Sequence, residues 1–219
     1  MVPELSFLET RVLGVLAEKE RTVPDTYPLT LNALVSGCNQ KTSRDPVINA
    51  AETEIQAALD SLRAKSLVIE SSGGRVARYS HNIERVLQIP KQSSALLTVL
   101  MLRGPQTAGE LRINCERLHS FTDIELVELF LRELAERPAG ALVAELPRQA
   151  GSRENRWMHL LSGTPAAQSA AASASPPAPA SDRSPEILEL KANIASLQAE
   201  VSELKARLEK LCAELGIRS

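Results

Sequence analysis

The stretch CNQKTSRDPV, residues 38–47, brings together side chains that can bind an oxyanion. Six consecutive polar residues, 39–44, stand here between two apolar segments that suit short helices. Lys41 and Arg44 carry positive charge and are expected to be exposed, and the hydroxyl of Thr42 can donate a hydrogen bond to a phosphate oxygen. These residue types predict contacts that position a protein on a nucleic-acid backbone without reading its sequence.

A purely structural role is the alternative for the same stretch. Asn39 and Asp45 are residue types whose side chains bond to nearby backbone groups in tight turns. A segment with this many polar groups also needs internal hydrogen bonds to hold one shape. From the sequence alone, residues 38–47 form either a binding loop or a capped turn.

Further positive charge occurs in two segments that are typical of β-hairpins. In the first, LVIES and RVARYS flank a Gly-Gly turn; in the second, ALVAELP and ENRWMHLL flank the polar loop RQAGSR. We predict that the loop and both hairpins contact DNA phosphates, with ordinary solvated charge as the alternative for the hairpins. The predicted DNA-binding residues are Lys41, Thr42, Arg44, Arg75, Arg78, Arg148, Arg153 and Arg156.

The sequence contains no recognisable set of nucleophile, general base and orienting residue. His159 lies in RWMHLL, where strand alternation places it on the same face as Trp157, as expected for a packed residue. The cysteines, residues 38, 115 and 212, are far apart, and the three histidines lack the spacing of zinc ligands. We therefore predict a protein that is not an enzyme and that has no metal site and no cofactor.

The composition indicates a helical globular protein without a general attraction to polyanions. Of the 219 residues, 43% are hydrophobic but only 3% are aromatic, so a core of Leu, Val, Ile and Ala is expected, which leans towards helices. The net charge of −2 leaves polyanion binding to local patches. MVPELSFLET lacks the basic start of a signal peptide, and no apolar run is long enough to span a membrane. We predict a soluble, cytoplasmic protein.

Apolar periodicity indicates three helices followed by a strand, a turn and a second strand, and this order occurs twice. Pairs of Ser or Thr with a Glu three residues later, which are typical of helix starts, begin at Ser6, Thr107 and Thr122. We therefore predict a mainly α protein with small β-hairpin wings, of the α+β class. The pattern indicates two tandem winged helix-turn-helix domains, residues 1–90 and 91–162.

The C-terminal part of the sequence divides into a linker and a heptad segment. Residues 163–185 are mainly Ala, Ser and Pro, which predicts a flexible linker. Residues 186–216 carry aliphatic side chains at alternating steps of three and four, which predicts a parallel coiled-coil dimer. A single helix that folds back onto the globular part is the alternative. The predicted dimerisation residues are Ile187, Leu190, Ile194, Leu197, Val201, Leu204, Leu208, Leu211 and Leu215.

Three of these segments also carry a resemblance to a known family. CNQKTSRDPV, LRGPQTAGELR and ENRWMHLLSG, in this order, are similar to segments of the YceH-like family of uncharacterised bacterial proteins. The resemblance runs from about residue 4 to residue 163. It implies a tandem winged-helix fold, in some members with a heptad tail. It implies no established reaction, ligand or DNA site.

Two functions are compatible with these predictions. The first is a regulatory or architectural role, in which a dimer binds double-stranded DNA through its loop and hairpin cations. The second is a protein–protein interaction module with an unknown partner, because the third helix of each repeat is acidic where a DNA-reading helix needs positive charge. Residues 123–137 contain five acids and two arginines, and residues 52–60 contain three acids and no basic residue. The sequence favours the first function and names neither an operator nor a partner.

Overall fold

The computed structural model describes residues 3–71, 76–148 and 154–163. The linker beyond Gly163, the heptad segment, Arg75 and Arg153 lie outside these ranges, so their predicted roles stay predictions. Within the described ranges, none of the helices is long and apolar enough to cross a membrane.

Two successive sets of helices and strands make up the described part of the chain. The first set is α1 (Phe7–Thr22), a 3₁₀ turn (Pro24–Thr26), α2 (Leu31–Cys38), α3 (Glu52–Ala64), β1 (Val68–Ser71) and β2 (Arg78–His81). The second set is α4 (Ile83–Leu87), α5 (Lys91–Arg103), α6 (Ala108–Cys115), α7 (Ile124–Ala135), β3 (Val143–Glu145) and β4 (Trp157–His159). Mainly helical with two small hairpins, this architecture confirms the predicted α+β class and is compatible with winged helices.

Side-chain caps define the starts of several helices. At α1 the Ser6 hydroxyl accepts the Glu9 N–H at 3.2 Å, and the Glu9 carboxylate accepts the Ser6 N–H at 2.5 Å, as predicted. At α7 the predicted cap at Thr122 is wrong by one residue, because Asp123 accepts the Leu126 N–H at 2.7 Å. This hydrogen bond, followed by one from Thr122, lowers the pKa of Asp123. A carboxylate is a stronger helix cap than a threonine hydroxyl.

Each hairpin is antiparallel and is extended by the segment that leads into an earlier helix. Leu29, just before α2, exchanges backbone hydrogen bonds of 2.8 and 3.0 Å with Tyr79 of β2. Gln106, just before α6, exchanges bonds of 2.7 and 3.0 Å with Trp157 of β4. The two sets therefore repeat one local arrangement. The register pairs Val68 with His81 and Ser71 with Arg78 in the first hairpin, and Val143 with His159 and Glu145 with Trp157 in the second.

One continuous apolar cluster runs through both sets, and α1 packs against α5 within it. α1 is buried over residues 9–17 and α5 over residues 93–102, so neither helix has a solvent-facing side along these turns. The backbone also joins the two sets, where the Asp45 N–H donates to the Leu102 carbonyl at 2.9 Å. Because the two sets share this core, a division into separate domains at residue 90 stays a prediction.

Candidate functional site

A buried arginine holds the two ends of the 38–47 stretch. Arg11 of α1 donates from Nη1 to the Cys38 carbonyl at 3.3 Å and from Nη2 to the Pro46 carbonyl at 2.7 Å. Burial lowers the pKa of Arg11, and the nearby charge of Arg44 lowers it further. A guanidinium remains charged in proteins even so. α1 thus places a fixed positive charge under the loop and orients its carbonyl groups.

Arg44 lies inside the protein, so the prediction that it is an exposed loop cation is wrong. Its side chain is 0% exposed and forms a bidentate ion pair with Glu18 of α1, with N–O distances of 3.1 and 2.6 Å. Its Nε–H donates to the Gly37 carbonyl at 3.1 Å. Burial by itself would raise the pKa of Glu18, but Arg44 and then Lys19 lower it overall. Arg44 therefore links the loop to α1 and does not present its charge to an outside partner.

The side chain of Asn39 closes the loop, as the structural alternative predicts for this residue; for Asp45 the alternative stays a prediction. Asn39 accepts the Ala50 N–H at 2.8 Å and donates to the Ala50 carbonyl at 2.9 Å. Lys41 and Thr42 are exposed at the tip, where the Thr42 hydroxyl accepts a hydrogen bond from Gln40 at 3.1 Å. The 38–47 stretch is therefore a structured turn that exposes two of the three residues predicted to contact DNA.

Two of the predicted hairpin arginines contact neighbouring backbone instead of standing isolated in solvent. Arg78 is exposed and donates to the Pro28 carbonyl at 2.7 Å. Arg156 donates to the Pro105 carbonyl at 2.7 Å and pairs with Glu110 at 3.1 Å. These contacts fix the bases of the hairpins. Of the others, Arg148 is exposed beyond β3, and Arg75 and Arg153 lie outside the described ranges.

The third helix of each set, α3 or α7, presents acidic side chains to solvent. Arg63 on α3 pairs with Glu70 at 2.9 Å, and Arg132 on α7 pairs with Glu128 at 2.8 Å, which offsets the positive charges these helices carry. Because carboxylates repel phosphates, neither helix presents the positive surface that a helix in the major groove needs. The exposed acids are Glu52, Glu54 and Asp60 on α3, Glu125 and Glu133 on α7, and Glu136 just after α7.

Exposed aliphatic side chains occur beside the acids of α7, both on α7 itself and on the preceding helix α6. Ile113 of α6 is 72% exposed, Leu129 of α7 is 50% exposed and Ile124 of α7 is 44% exposed. The Ile124 Cδ1 atom lies 4.0 Å from where a Cβ on Gly109 would stand, and Ile113 follows Gly109 by four residues on the same helical face. Leu129 lies further round α7, with Glu125 and Glu133 one turn to either side of it. The exposed or half-exposed residues Ile113, Ile124, Glu125, Glu128, Leu129 and Glu133 of these two helices are together called the α6–α7 surface below.

The three segments that carry the family resemblance meet at one open cleft of about 340 Å³. The loop after α2 supplies one wall, the end of α5 together with α6 supplies the second, and the residue before β4 supplies the third. Sequence reasoning missed this cleft, because its walls come from positions up to 113 residues apart, from 43 to 156. This arginine cleft is lined by Ser43, Arg44, Asp45, Arg103, Pro105, Gln106, Glu110, Asn114 and Arg156.

Glu20, His81 and Glu84 form a separate polar cluster, and they are the one group in the described ranges that could supply three metal-ligand atoms. His81 Nε2 lies 2.9 Å from the Glu20 carboxylate, and Nδ1 lies 3.5 Å from that of Glu84. The Ile83 N–H donates to Nδ1 at 3.4 Å, so Nε2 is the ring atom that can donate to Glu20. These contacts hold the ring between α1 and α4. Spacing along the sequence gave no sign of this cluster.

Burial fixes the protonation state of two thiols and one imidazole in the described ranges. Burial raises the pKa of Cys38 and of Cys115 to about 12, so both thiols stay protonated at neutral pH. The two cysteines end α2 and α6, which are matching positions in the two sets. Burial lowers the pKa of His159 to about 4, so its ring is neutral and packs in the strand, as predicted.

Comparison with known proteins places this architecture in a bacterial family. Residues 5–152 match the family model described as "Protein of unknown function, DUF480". A UPF0502 protein of Dechloromonas aromatica (strain RCB) is 64% identical over 197 residues, which cover 90% of this chain and 91% of the relative. A UPF0502 protein of Methylibium petroleiphilum (strain ATCC BAA-1232 / LMG 22953 / PM1) is 57% identical over 213 residues, 97% of this chain and 91% of the relative. The chain therefore belongs to the DUF480 family of bacterial proteins of unknown function, which confirms the YceH-like resemblance.

Proposed function

We propose that this protein is a non-enzymatic winged-helix module that binds a basic segment of another protein through the α6–α7 surface. One observation carries the proposal: Ile113, Ile124 and Leu129 are exposed large aliphatic residues beside exposed carboxylates. Large apolar side chains that are exposed on neighbouring helices are typical of interaction sites. A segment that carries both apolar and Lys or Arg side chains fits this surface.

Charge complementarity specifies the partner. Glu125 and Glu133 lie one helical turn to either side of Leu129, so a partner side chain that packs on Leu129 brings its neighbours close to two carboxylates. Lys or Arg at those neighbouring positions attracts the carboxylates, and Asp or Glu there repels them. The aliphatic groups supply affinity, and the acids supply selection for a basic partner.

Binding to double-stranded DNA is the second candidate function. Lys41, Arg78 and Arg148 are exposed on the loop and at the hairpins, and basic side chains of this kind suit contacts with DNA phosphates. The acidic surfaces of α3 and α7 disfavour an approach to the major groove, so such binding rests on backbone contacts alone. We rank this function below protein binding for that reason.

The two functions are separated by selecting peptides on the full-length chain from a random library displayed on phage. Enriched peptides should combine Lys or Arg with large apolar residues. Ile113→Asp should weaken a selected peptide at least about tenfold, or about 1.4 kcal/mol, because a charge replaces an apolar contact. Ile69→Asp, also an exposed isoleucine but on β1, is the matched control and should bind like the wild type. Selected peptides without net positive charge, or equal losses in both variants, would contradict the proposal.

The same protein is titrated with fluorescent duplex DNA at two salt concentrations. Binding through about six phosphate contacts gives a slope near −5 in log K against log salt, at about −0.9 per contact. Such a slope, reduced by Lys41→Ala and Arg78→Ala, would support the second candidate. Absence of binding at low salt would eliminate it.

Self-association through the heptad segment belongs to the same proposal. Aliphatic residues at both seam positions of 186–216 favour a parallel pair of helices. We expect the full chain to be a dimer and a chain that ends after Gly163 to be a monomer, as measured by size-exclusion chromatography with light scattering. A dimeric shortened chain would place the interface within residues 1–163, and a monomeric full chain would favour a tail that folds back or stands alone.

A further inference from the structure

The arginine cleft shares no lining residue with the α6–α7 surface, and its three arginines differ in how their charges are balanced. Arg44 pairs with Glu18, and Arg156 pairs with Glu110. Arg103 instead donates to neutral oxygens, from Nη2 to the Ser43 hydroxyl at 2.8 Å and from Nη1 to the Asn114 side-chain oxygen at 2.9 Å. Among the described residues, no carboxylate lies within ion-pair distance of Arg103. Its positive charge is therefore not part of an ion pair among the described residues.

A chain of hydrogen bonds holds the Arg103 side chain in place. Asn114, which accepts from Arg103, donates to the Gln106 side-chain oxygen at 2.6 Å. Gln106 is buried, donates to the Gly104 carbonyl at 3.2 Å and is bonded through its backbone to Trp157. A guanidinium held by neutral partners keeps its charge and retains further N–H donors for a ligand, because it carries five. The site is arranged before any ligand arrives.

The lining also limits the charge that a ligand can carry. Besides the three arginines, the cleft contains the carboxylates of Asp45 and Glu110. With Arg44 paired to Glu18 and Arg156 paired to Glu110, the charged lining groups left outside an ion pair in the described ranges are Arg103 and Asp45. A ligand with one carboxylate and a donor group complements these two charges, whereas a multiply charged anion meets repulsion from Asp45 and Glu110. The same carboxylates accept hydrogen bonds from hydroxyl or amino groups of a ligand. A volume of about 340 Å³ is within the range of small-molecule sites.

We propose that the arginine cleft binds a small carboxylic acid that also bears a hydroxyl or amino group. The ligand carboxylate pairs with the guanidinium of Arg103, where bidentate geometry is favoured. The Ser43 hydroxyl and the Asn114 amide lie against Arg103 and contact the same end of the ligand. The hydroxyl or amino group of the ligand donates to Asp45 or Glu110. This site would give the protein sensitivity to a small metabolite separately from its macromolecular partner.

The single tryptophan of the chain, Trp157, reports on this site, since its backbone is bonded to Gln106 of the cleft. The full-length protein is titrated with lactate, serine and glutamate while tryptophan emission is recorded. We expect a saturable change in emission with at least one of the three acids. It should occur at millimolar concentrations, because one exposed ion pair and a few hydrogen bonds provide an affinity of that order. Propane-1,2-diol, which is lactate without its carboxylate, should give no saturable change.

Variants test whether Arg103 is the residue that binds the acid. Arg103→Gln should weaken the response at least about tenfold, and Arg103→Lys, which keeps the charge but loses the planar fork, should give an intermediate loss. Arg132→Gln, on the exposed side of α7, is the matched control and should respond like the wild type. Far-ultraviolet circular dichroism and the thermal midpoint establish that each variant is folded. If Arg103→Gln is unfolded, Arg103→Lys and the diol decide the question.

Several results would overturn the proposal. They are the lack of a saturable change with all three acids, an undiminished response in folded Arg103→Gln or in Arg103→Lys, and an equal response to propane-1,2-diol. A response to inorganic phosphate with none to the carboxylic acids would overturn the ligand class.

Discussion

Replacing Arg44 with alanine should lower the free energy of unfolding by about 3 kcal/mol, because it removes the bidentate partner of a buried carboxylate and leaves Glu18 with Lys19 as its one ion-pair partner among the described residues. The partner, Glu18, is only 14% exposed in its side chain, and water can solvate little of its carboxylate once the guanidinium is gone. The Gly37 carbonyl loses its Nε–H donor as well. Lys41→Ala is the matched control three residues away, and an exposed substitution of this kind changes stability by no more than about 0.5 kcal/mol.

Urea denaturation followed by tryptophan fluorescence or circular dichroism measures both variants at neutral and acidic pH. In the wild-type protein the pKa of Glu18 is below its ordinary value of 4.5, so the pair adds stability above that value, and this stability is lost as the pH falls through the lower, folded-state pKa. The difference between wild type and Arg44→Ala should therefore shrink on acidification. Equal stability of Arg44→Ala and Lys41→Ala at pH 7 would contradict the structural role of Arg44.

Replacing Gly37 with alanine should lower the free energy of unfolding by about 1–3 kcal/mol, because the added methyl group overpacks the contact between α1 and α2. Its Cβ would stand 2.6 Å from Cγ1 of Val15, closer than two carbon atoms approach. Val15 is fully buried, and a valine in a helix has one strongly preferred rotamer, so its methyl group cannot turn aside. The better helix propensity of alanine offsets only part of this cost.

Two further variants isolate the clash with Val15 from other effects of the added methyl group. Gly109→Ala, also in a helix, meets side-chain atoms at 3.9–4.0 Å, which is ordinary contact, and should raise stability by up to about 1 kcal/mol. In the double variant Val15→Ala with Gly37→Ala, the smaller side chain makes room for the new methyl group. The double variant should lose less free energy of unfolding than the two single variants lose in sum, as measured by thermal and urea unfolding. If the losses in free energy of unfolding simply add, contact with Val15 is not the reason why alanine at residue 37 is destabilising.

The parts of this protein that could be predicted from its sequence are those set by near neighbours in the chain. Alternating apolar residues predicted both hairpins, and the Ser6–Glu9 pair predicted the start of α1. The acidity of α3 and α7 follows directly from their residues, because a surface helix exposes most of its charged side chains. The one-residue error at α7 has the same local origin, since Thr122 and Asp123 are both good caps and the carboxylate is the stronger acceptor.

The candidate sites were not predictable in this way. Arg44 and Glu18 are 26 residues apart, and no local pattern distinguishes an arginine that meets a buried carboxylate from one that meets water. The arginine cleft needs Ser43, Arg103 and Arg156 from three separate segments, which come together only when α1 has packed on α5. Three sequence segments carried the resemblance, but nothing in their residues indicated that they share one cleft.

By itself, the sequence determined the order of helices and strands and the sign of the charge on each helix, because hydrophobic period, caps and side-chain type act over a few residues. Tertiary structure decided which of the charged side chains serve the interior. Arg11 and Arg44 are buried and bind groups inside the protein, whereas Lys41 is exposed, although all three side chains are charged. The physical reason is that the desolvation of a charge is offset only by partners at short distance, and those partners are supplied by packing between segments that are far apart in the chain.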